Sequence, residues 1–278
     1  MTNFPSIAVS SGSFYPLSSL QSIQQLRELN VRDVELTLQA NEFFLTFERK
    51  LCMPILPELL RLVEHGDLRV RSVHAPGIAA SHASSLWARR EYLSHTIETC
   101  RRLGGNLVVI HPLHLFSTQE AALEYLSTRG AALHSVLLPG IDECLELAHL
   151  AGITLALENI QDWFDEPFFN TPENVSRFLK EMKHPALGFT LDLMHAKVAD
   201  LLDEFVDAMA EEVVNVHVSD LQPPTRRVSV GTGVIDWSRL VLALQNLPNL
   251  RQLTIELSNP QPGDVQQSVG ILESLMLR

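Results

Sequence analysis

The sequence predicts an α/β protein, a (β/α)8 TIM barrel. Eight short apolar runs of strand length recur along the 278 residues, separated by stretches with apolar side chains at the three- and four-residue steps of an amphipathic helix. Parallel strands joined by helices are covered on both faces, and an eightfold alternation of this kind closes naturally into a barrel. The main rival is a doubly wound open sheet. Against it, the first run leads into Ser11-Gly12-Ser13-Phe14, which holds a single glycine and no dinucleotide fingerprint.

In chain order the expected strands are Ile7–Ser11, Asp33–Leu38, Val70–His74, Leu107–His111, Ile153–Glu158, Leu187–Leu193, Val213–Val218 and Leu253–Leu257. The expected helices are Ser18–Leu29, Ile55–Glu64, Ser84–Leu103, Ala131–Ala151, Pro172–Glu181, Leu201–Ala210, Trp237–Leu244 and Asp264–Leu275. Leu103-Gly104-Gly105 and Ala151-Gly152 read as helix stops, and Thr171-Pro172-Glu173 and Asp236-Trp237 as helix starts. The even spread of apolar segments, with no linker, low-complexity tract or charge block, favours one domain over residues 1–278.

Composition narrows the partners. With 46% hydrophobic and 19% charged residues the chain is globular throughout. A formal charge of −12 repels phosphodiester backbones, so no nucleic acid is expected as a partner and a small molecule is. Cys52, Cys100 and Cys144 are scattered, odd in number and form no C-x-x-C, which suggests core thiols in a reducing compartment. Met1-Thr2-Asn3-Phe4-Pro5 does not begin a signal peptide and no apolar stretch is long enough to span a bilayer; a cytoplasmic location without membrane association is the default.

Four residues carry the chemistry. Glu158, Asp192, His217 and Glu256 each close one of the last four apolar runs. In a barrel the carboxyl ends of all strands meet at one mouth, so these groups are expected to share one divalent metal ion. Three carboxylates and one imidazole suit manganese, magnesium, cobalt or zinc rather than a soft metal. Taken singly, each could merely pair with a neighbour or cap the next helix. Four together without a cation would raise their pKa values and cost stability.

The ordered set of motifs carries a resemblance. Ser72-Val73-His74-Ala75-Pro76, Val109-Ile110-His111-Pro112, Ala156-Leu157-Glu158-Asn159, Thr190-Leu191-Asp192-Leu193-Met194-His195, Val216-His217-Val218-Ser219-Asp220, Gly231-Thr232-Gly233-Val234-Ile235-Asp236-Trp237 and Thr254-Ile255-Glu256 follow one another along nearly the whole chain. In order and spacing they resemble the xylose isomerase-like barrel superfamily, which holds sugar isomerases and epimerases together with endonuclease IV. Similarity to its ketose 3-epimerases and hydroxypyruvate isomerases implies that Glu158, Asp192, His217 and Glu256 bind the metal. It also implies that Glu158 and Glu256 are the catalytic acid/base pair, moving a proton next to a carbonyl while the cation stabilises the enediolate. By the same similarity His195 and Arg227 bind substrate oxygens.

His74 and His111 are placed across the mouth from the four ligands. In endonuclease IV the matching histidines help hold a multinuclear zinc site; its further Asp and His ligands are replaced here by Thr225 and Arg227, so a trinuclear site is not expected. The two histidines then either border the sugar pocket or are hydrogen-bonded barrel residues. His82, His95 and His114 are read as surface or helix-face residues. Phe14, Trp163 and Phe164 are candidates for an apolar pocket wall, and Gln161–Asn170 for a lid.

The reading is therefore a metal-dependent isomerase or epimerase of a small keto sugar or sugar derivative, with a homo-oligomer compatible. Epimerisation, aldose–ketose isomerisation and dehydration share the first proton abstraction and stay open. The alternatives are an endonuclease IV-like DNA repair nuclease, disfavoured by acidic charge, and a non-catalytic barrel that binds a sugar or a partner.

Overall fold

The computed structural model describes residues 5–45, 51–76, 86–117, 121, 124–125, 127, 133–160, 170–198 and 200–276. Its strands are β1 (Ser6–Ser10), β2 (Asp33–Thr37), β3 (Phe44–Leu45), β4 (Leu51–Cys52), β5 (Arg69–His74) and β6 (Leu107–Ile110). Then follow β7 (Thr154–Glu158), β8 (Leu187–Asp192), β9 (Val213–Val218), β10 (Asp220–Gln222), β11 (Arg226–Val228) and β12 (Gln252–Ile255). The eight anticipated strands close into a parallel barrel in the order β1-β12-β9-β8-β7-β6-β5-β2, with β2 returning to β1 through Val9 and Val34. The remaining four strands form two antiparallel hairpins, β3-β4 and β10-β11, that the sequence pattern does not announce.

Helices separate the barrel strands, and two differ from expectation. The stretch anticipated over 131–151 contains two helices, Leu133–Val136 and Ile141–Leu150. Between them Pro139 lacks a backbone donor and Gly140 adopts φ +81°, a left-handed conformation that glycine enters without a Cβ penalty. Directly after β8 the chain forms an unanticipated helix, Leu193–Val198. Elsewhere the signals hold: Thr171 caps Pro172–Met182 by accepting from the Asn174 N–H, and Asp236 caps Trp237–Gln245 by accepting from the Arg239 N–H.

The strands have two different faces. Val34, Leu36, Leu155, Leu157, Phe189, Leu191, Val216 and Ile255 belong to the main core with helix residues such as Leu59, Ile97, Phe178 and Leu240. This layer supplies most of the burial, about 1.5–3 kcal/mol for each large side chain removed from water. The alternating residues include a small separate apolar cluster, Leu107, Val109, Ala156 and Val214, and a polar group. Ser72, Thr190, Asn215 and Thr254 are fully buried, and so is Glu35 in the middle of β2. Gln252 Nε2 donates to Ser72 Oγ (2.7 Å) and Thr254 Oγ1 (2.6 Å), Thr254 Oγ1 donates to Asn215 Oδ1 (3.1 Å), and Ser72 Oγ donates to Glu35 Oε2 (2.8 Å). Buried polar groups must be satisfied in this way because the low-dielectric interior makes an orphan expensive.

Beyond β9 a single carboxylate organises the loop. Asp220 is fully buried and accepts four hydrogen bonds, from the N–H groups of Leu221 (2.8 Å), Gly231 (3.1 Å) and Ile235 (3.0 Å) and from Trp237 Nε1 (2.7 Å). These tie the β10-β11 hairpin and the start of Trp237–Gln245 to the end of the barrel. The closeness requires a glycine: a Cβ on Gly233 would overlap Asp220 Oδ1 and the Leu221 carbonyl oxygen.

Among the described residues no helix is long and apolar enough to cross a membrane. Gly233→Ala is expected to destabilise the protein by about 1–3 kcal/mol, the usual cost of overpacking. Gly263→Ala, whose added methyl meets open space, is expected to leave the urea unfolding midpoint close to the parent's. Equal midpoints for the two variants would contradict the tight approach at Asp220.

Candidate metal centre at the barrel mouth

Each strand delivers its group by a definable local device. Glu158 and Asp192 are the last residues of β7 and β8, and His217 is the penultimate residue of β9. Glu256 lies one residue beyond β12, held there by its N–H donating to the Val218 carbonyl (3.0 Å). The β8–β9 register shifts between Phe189 and Thr190, after which Thr190 pairs with Asn215 and Asp192 with His217, so both residues of each pair point into the barrel. Asn159 locks the strand ends: its Oδ1 accepts from the Asp192 N–H (2.7 Å) and its Nδ2 donates to the Asp192 carbonyl (3.0 Å). Asp192 is also a helix cap, with Oδ1 accepting from the His195 N–H (2.8 Å), and this leaves Oδ2 for the site.

The four groups come together. Ligand atoms of Glu158, Asp192, His217 and Glu256 all lie within 4.8 Å of one another. His217 Nδ1 lies 3.2 Å from Glu158 Oε1, 3.4 Å from Glu256 Oε2 and 3.7 Å from Asp192 Oδ2. His217 and Asp192 are fully buried, Glu158 nearly so, while the Glu256 side chain is 20% exposed toward the cavity.

His74 and His111 are not across the mouth from this group; they join it. His74 Nε2 lies 3.1 Å and His111 Nε2 3.3 Å from Glu158 Oε2, so His74, His111 and Glu158 form a second ligand-competent cluster that shares Glu158 with the first. The cause is the strand order, in which β6 pairs directly with β5 on one side and β7 on the other. His195, on the helix Leu193–Val198, is 13% exposed; Nδ1–H donates to the Asn159 carbonyl (2.8 Å) and Nε2 accepts from Arg227 Nη2 (3.0 Å). Arg227, carried by β11, reaches back over the site: Nη1 lies 2.7 Å from Asp192 Oδ2 and 3.2 Å from Glu256 Oε2.

A cavity of about 230 Å³ opens above these groups and is bordered by His74, His111, Glu158, His195, Arg227 and Glu256. Its other wall comes from β1 and β2 and their loops, with Ser11, Thr37 and Gln39 offering hydroxyl and amide groups and Tyr15 standing 68% exposed at the rim. Phe14 packs on the main core instead, so Tyr15 supplies the aromatic that the sequence pattern assigns to Phe14. Trp163, Phe164 and 161–169 of the anticipated lid lie outside the described residues, as does His82. His114 is no surface residue: it is 2% exposed, with Nδ1 at the His111 backbone and Nε2 3.2 Å from the Pro76 carbonyl oxygen.

Glu35 is the residue that strand-end reasoning misses. It sits beneath the mouth, and its Oε1 lies 3.1 Å from His217 Nε2. The available signal was a charged residue inside the apolar run Val34-Glu35-Leu36, on the inward-facing phase of a period-two strand.

Charge in the site is balanced by proximity. Burial works to raise the Glu158 pKa, but the imidazoles of His217, His111 and His74 outweigh it and hold the group well below the usual carboxylate range. Burial likewise opposes ionisation of Asp192 and Glu256, and the Arg227 guanidinium leads the interactions that lower both. Burial disfavours the charged form of His74, yet its hydrogen bond and ion pair with Glu158 raise it to about 9. The geometry agrees, because Nδ1 faces the Ala75 carbonyl (2.9 Å) and Nε2 faces Glu158, two acceptors that call for two protons.

A group whose folded pKa is raised contributes stability that is complete below its unfolded value, about 6.5, and is lost as pH climbs through the folded one. In chelator-treated protein the thermal midpoint is therefore expected to fall between about pH 6.5 and about 9, more steeply in the parent than in His74→Gln. Parallel slopes for the two proteins would contradict the His74–Glu158 pairing.

A family model for the xylose isomerase-like TIM barrel matches residues 23–275. Among solved structures, a D-tagatose 3-epimerase-like protein shares the fold with a TM-score of 0.73 at 20% identity, covering 98% of this chain and 97% of that one. L-ribulose 3-epimerase shares it with a TM-score of 0.72 at 18% identity, covering 99% and 95%. The IOLI protein with a bound zinc atom gives a TM-score of 0.64 at 16% identity, covering 98% of each chain. At these identities the structural likeness is one of fold. The family match takes in all of the residues gathered at the mouth, from His74 to Glu256, and on it this chain belongs to the xylose isomerase-like TIM barrels.

Proposed function

We propose that this barrel is a divalent-metal-dependent isomerase or epimerase of a small keto sugar or sugar derivative. The observation that carries the reading is the convergence of Glu158, Asp192, His217 and Glu256 on one point at the floor of an open cavity. The donor set fits a hard or borderline divalent cation, and Glu256 Oε2, buried within ion-pair distance of Arg227 and His217, is engaged in no hydrogen bond. These four residues would hold one ion of manganese, magnesium, cobalt or zinc. When bound, the ion supplies electrostatic stabilisation of the negative charge that develops on substrate oxygens as a proton leaves carbon. L-ribulose 3-epimerase among the structural neighbours, and the zinc bound by another neighbour, the IOLI protein, support the same chemistry.

The chain's own residues divide the remaining work. Glu158 and Glu256 border the cavity and carry the proton, one removing it and one returning or accepting it. His74 and His111 fix Glu158 Oε2, which aims the carboxylate rather than leaving it to rotate. Arg227 and His195 present polar atoms to the cavity and would hold substrate oxygens, with Ser11, Thr37 and Gln39 facing them across the space.

One observation favours a second reading. The His74, His111 and Glu158 cluster would place another cation beside the first with Glu158 shared, the arrangement a phosphodiester-cleaving enzyme uses. The formal charge of −12 weighs against a nucleic-acid substrate.

Turnover of a ketose panel in D2O by the metal-loaded protein separates the readings. Deuterium is expected to enter the carbon next to the carbonyl, and Glu158→Gln and Glu256→Gln are each expected to slow exchange by about 10²–10⁴-fold. Deuterium-free sugar throughout, together with nicking of abasic DNA, would overturn the isomerase reading in favour of the nuclease.

A further inference from the structure

We propose that Glu35 is a positioning residue that fixes the orientation and proton location of His217, so that Nδ1 is the nitrogen presented to a cation. The inference rests on the metal-centre reading above and adds a residue outside its ligand set. Glu35 lies in the middle of β2, well below the mouth, with no exposure to solvent. Its Oε1 stands 3.1 Å from His217 Nε2, at ion-pair distance, and both atoms are buried with no hydrogen-bond partner. The ring's opposite nitrogen, Nδ1, faces Glu158, Glu256 and Asp192. The imidazole is thus held between an acceptor that is not a ligand and three groups that are.

Glu35 is itself braced. Ser72 Oγ donates to its Oε2 (2.8 Å), and Gln252 Nε2 donates to Ser72 Oγ (2.7 Å), so three strands fix the carboxylate before it meets His217. The register between β2 and β5 shifts between Val34 and Glu35, after which Glu35 pairs with Ser72. A carboxyl group buried this deeply is costly unless it serves its neighbours, and its one free oxygen serves His217. With the proton kept on Nε2 by Glu35, the lone pair on Nδ1 is directed at the cation and the ring is more basic, the general role of a carboxylate behind a metal-bound histidine.

Cobalt(II) titration against a competing chelator, with the visible absorption of the bound ion recorded, tests this on the full-length protein. Glu35→Gln keeps the side chain's shape and its oxygen acceptor while removing the charge; Glu35→Leu removes the acceptor. Affinity is expected to weaken by about 10- to 100-fold, with the larger loss in Glu35→Leu and a changed absorption spectrum. If Glu35→Leu fails to fold, Glu35→Gln decides alone. A purely structural Glu35 would lower the thermal midpoint of the metal-free protein yet leave cobalt affinity and spectrum as in the parent, and that result would overturn the proposal. A parent protein that binds no cobalt, or a His217→Asn variant that binds it as tightly as the parent, would instead remove the metal-centre reading beneath it.

Discussion

Three carboxyl groups, Glu158, Asp192 and Glu256, are forced together around one imidazole in a pocket largely withdrawn from water, and the protein must compensate that concentration of negative charge. Positive groups are drawn in from two sides, Arg227 from the β10-β11 hairpin and His74 from β5. Each of these contacts exists because the strand ends converge. Without the compensation, the carboxyls would be neutral or the barrel mouth would open.

The barrel serves this constraint with its interior. A barrel filled by Val, Ile and Leu would be the cheaper solution for stability alone. Here the inward phase of the strands carries Glu35, Ser72, Thr190, Asn215, Gln252 and Thr254, hydrogen-bonded to one another beneath the mouth. Such a network fixes directions more tightly than apolar packing does, since each donor must find its acceptor. The apolar work is left to the layer between strands and helices, where the main core lies. Asp220 does for the far loop what the network does for the floor, gathering four donors so that Arg227 returns to the site from a hairpin anchored at both ends.

Much of this was legible in the sequence because period and strand length report burial directly. All eight barrel strands fall where apolar runs place them, since the phase of each strand that faces the helices is regularly apolar. The four groups at the ends of β7, β8, β9 and β12 could be read for the same reason: a charged residue closing such a run has nowhere to go but the mouth. The hairpins escaped because two- and three-residue strands have no period to detect. The break at Pro139-Gly140 was hidden by apolar spacing that continues across it. His74 and His111 were placed on the wrong side although β5, β6 and β7 are consecutive barrel strands, because the reach of their side chains to Glu158 depends on the register of β5 with β6 and β6 with β7. His114 looked like a surface residue because the side chain's burial depends on the Pro76 carbonyl, which is 38 residues away in sequence.

The central claim is that the four strand-end residues share one cation. Crystals soaked in manganese and measured near the metal's absorption edge test it directly through the anomalous difference map. The account predicts a single strong peak per chain bounded by Glu158, Asp192, His217 and Glu256. A map with no peak there, or with its strongest peak away from the barrel mouth, would contradict it.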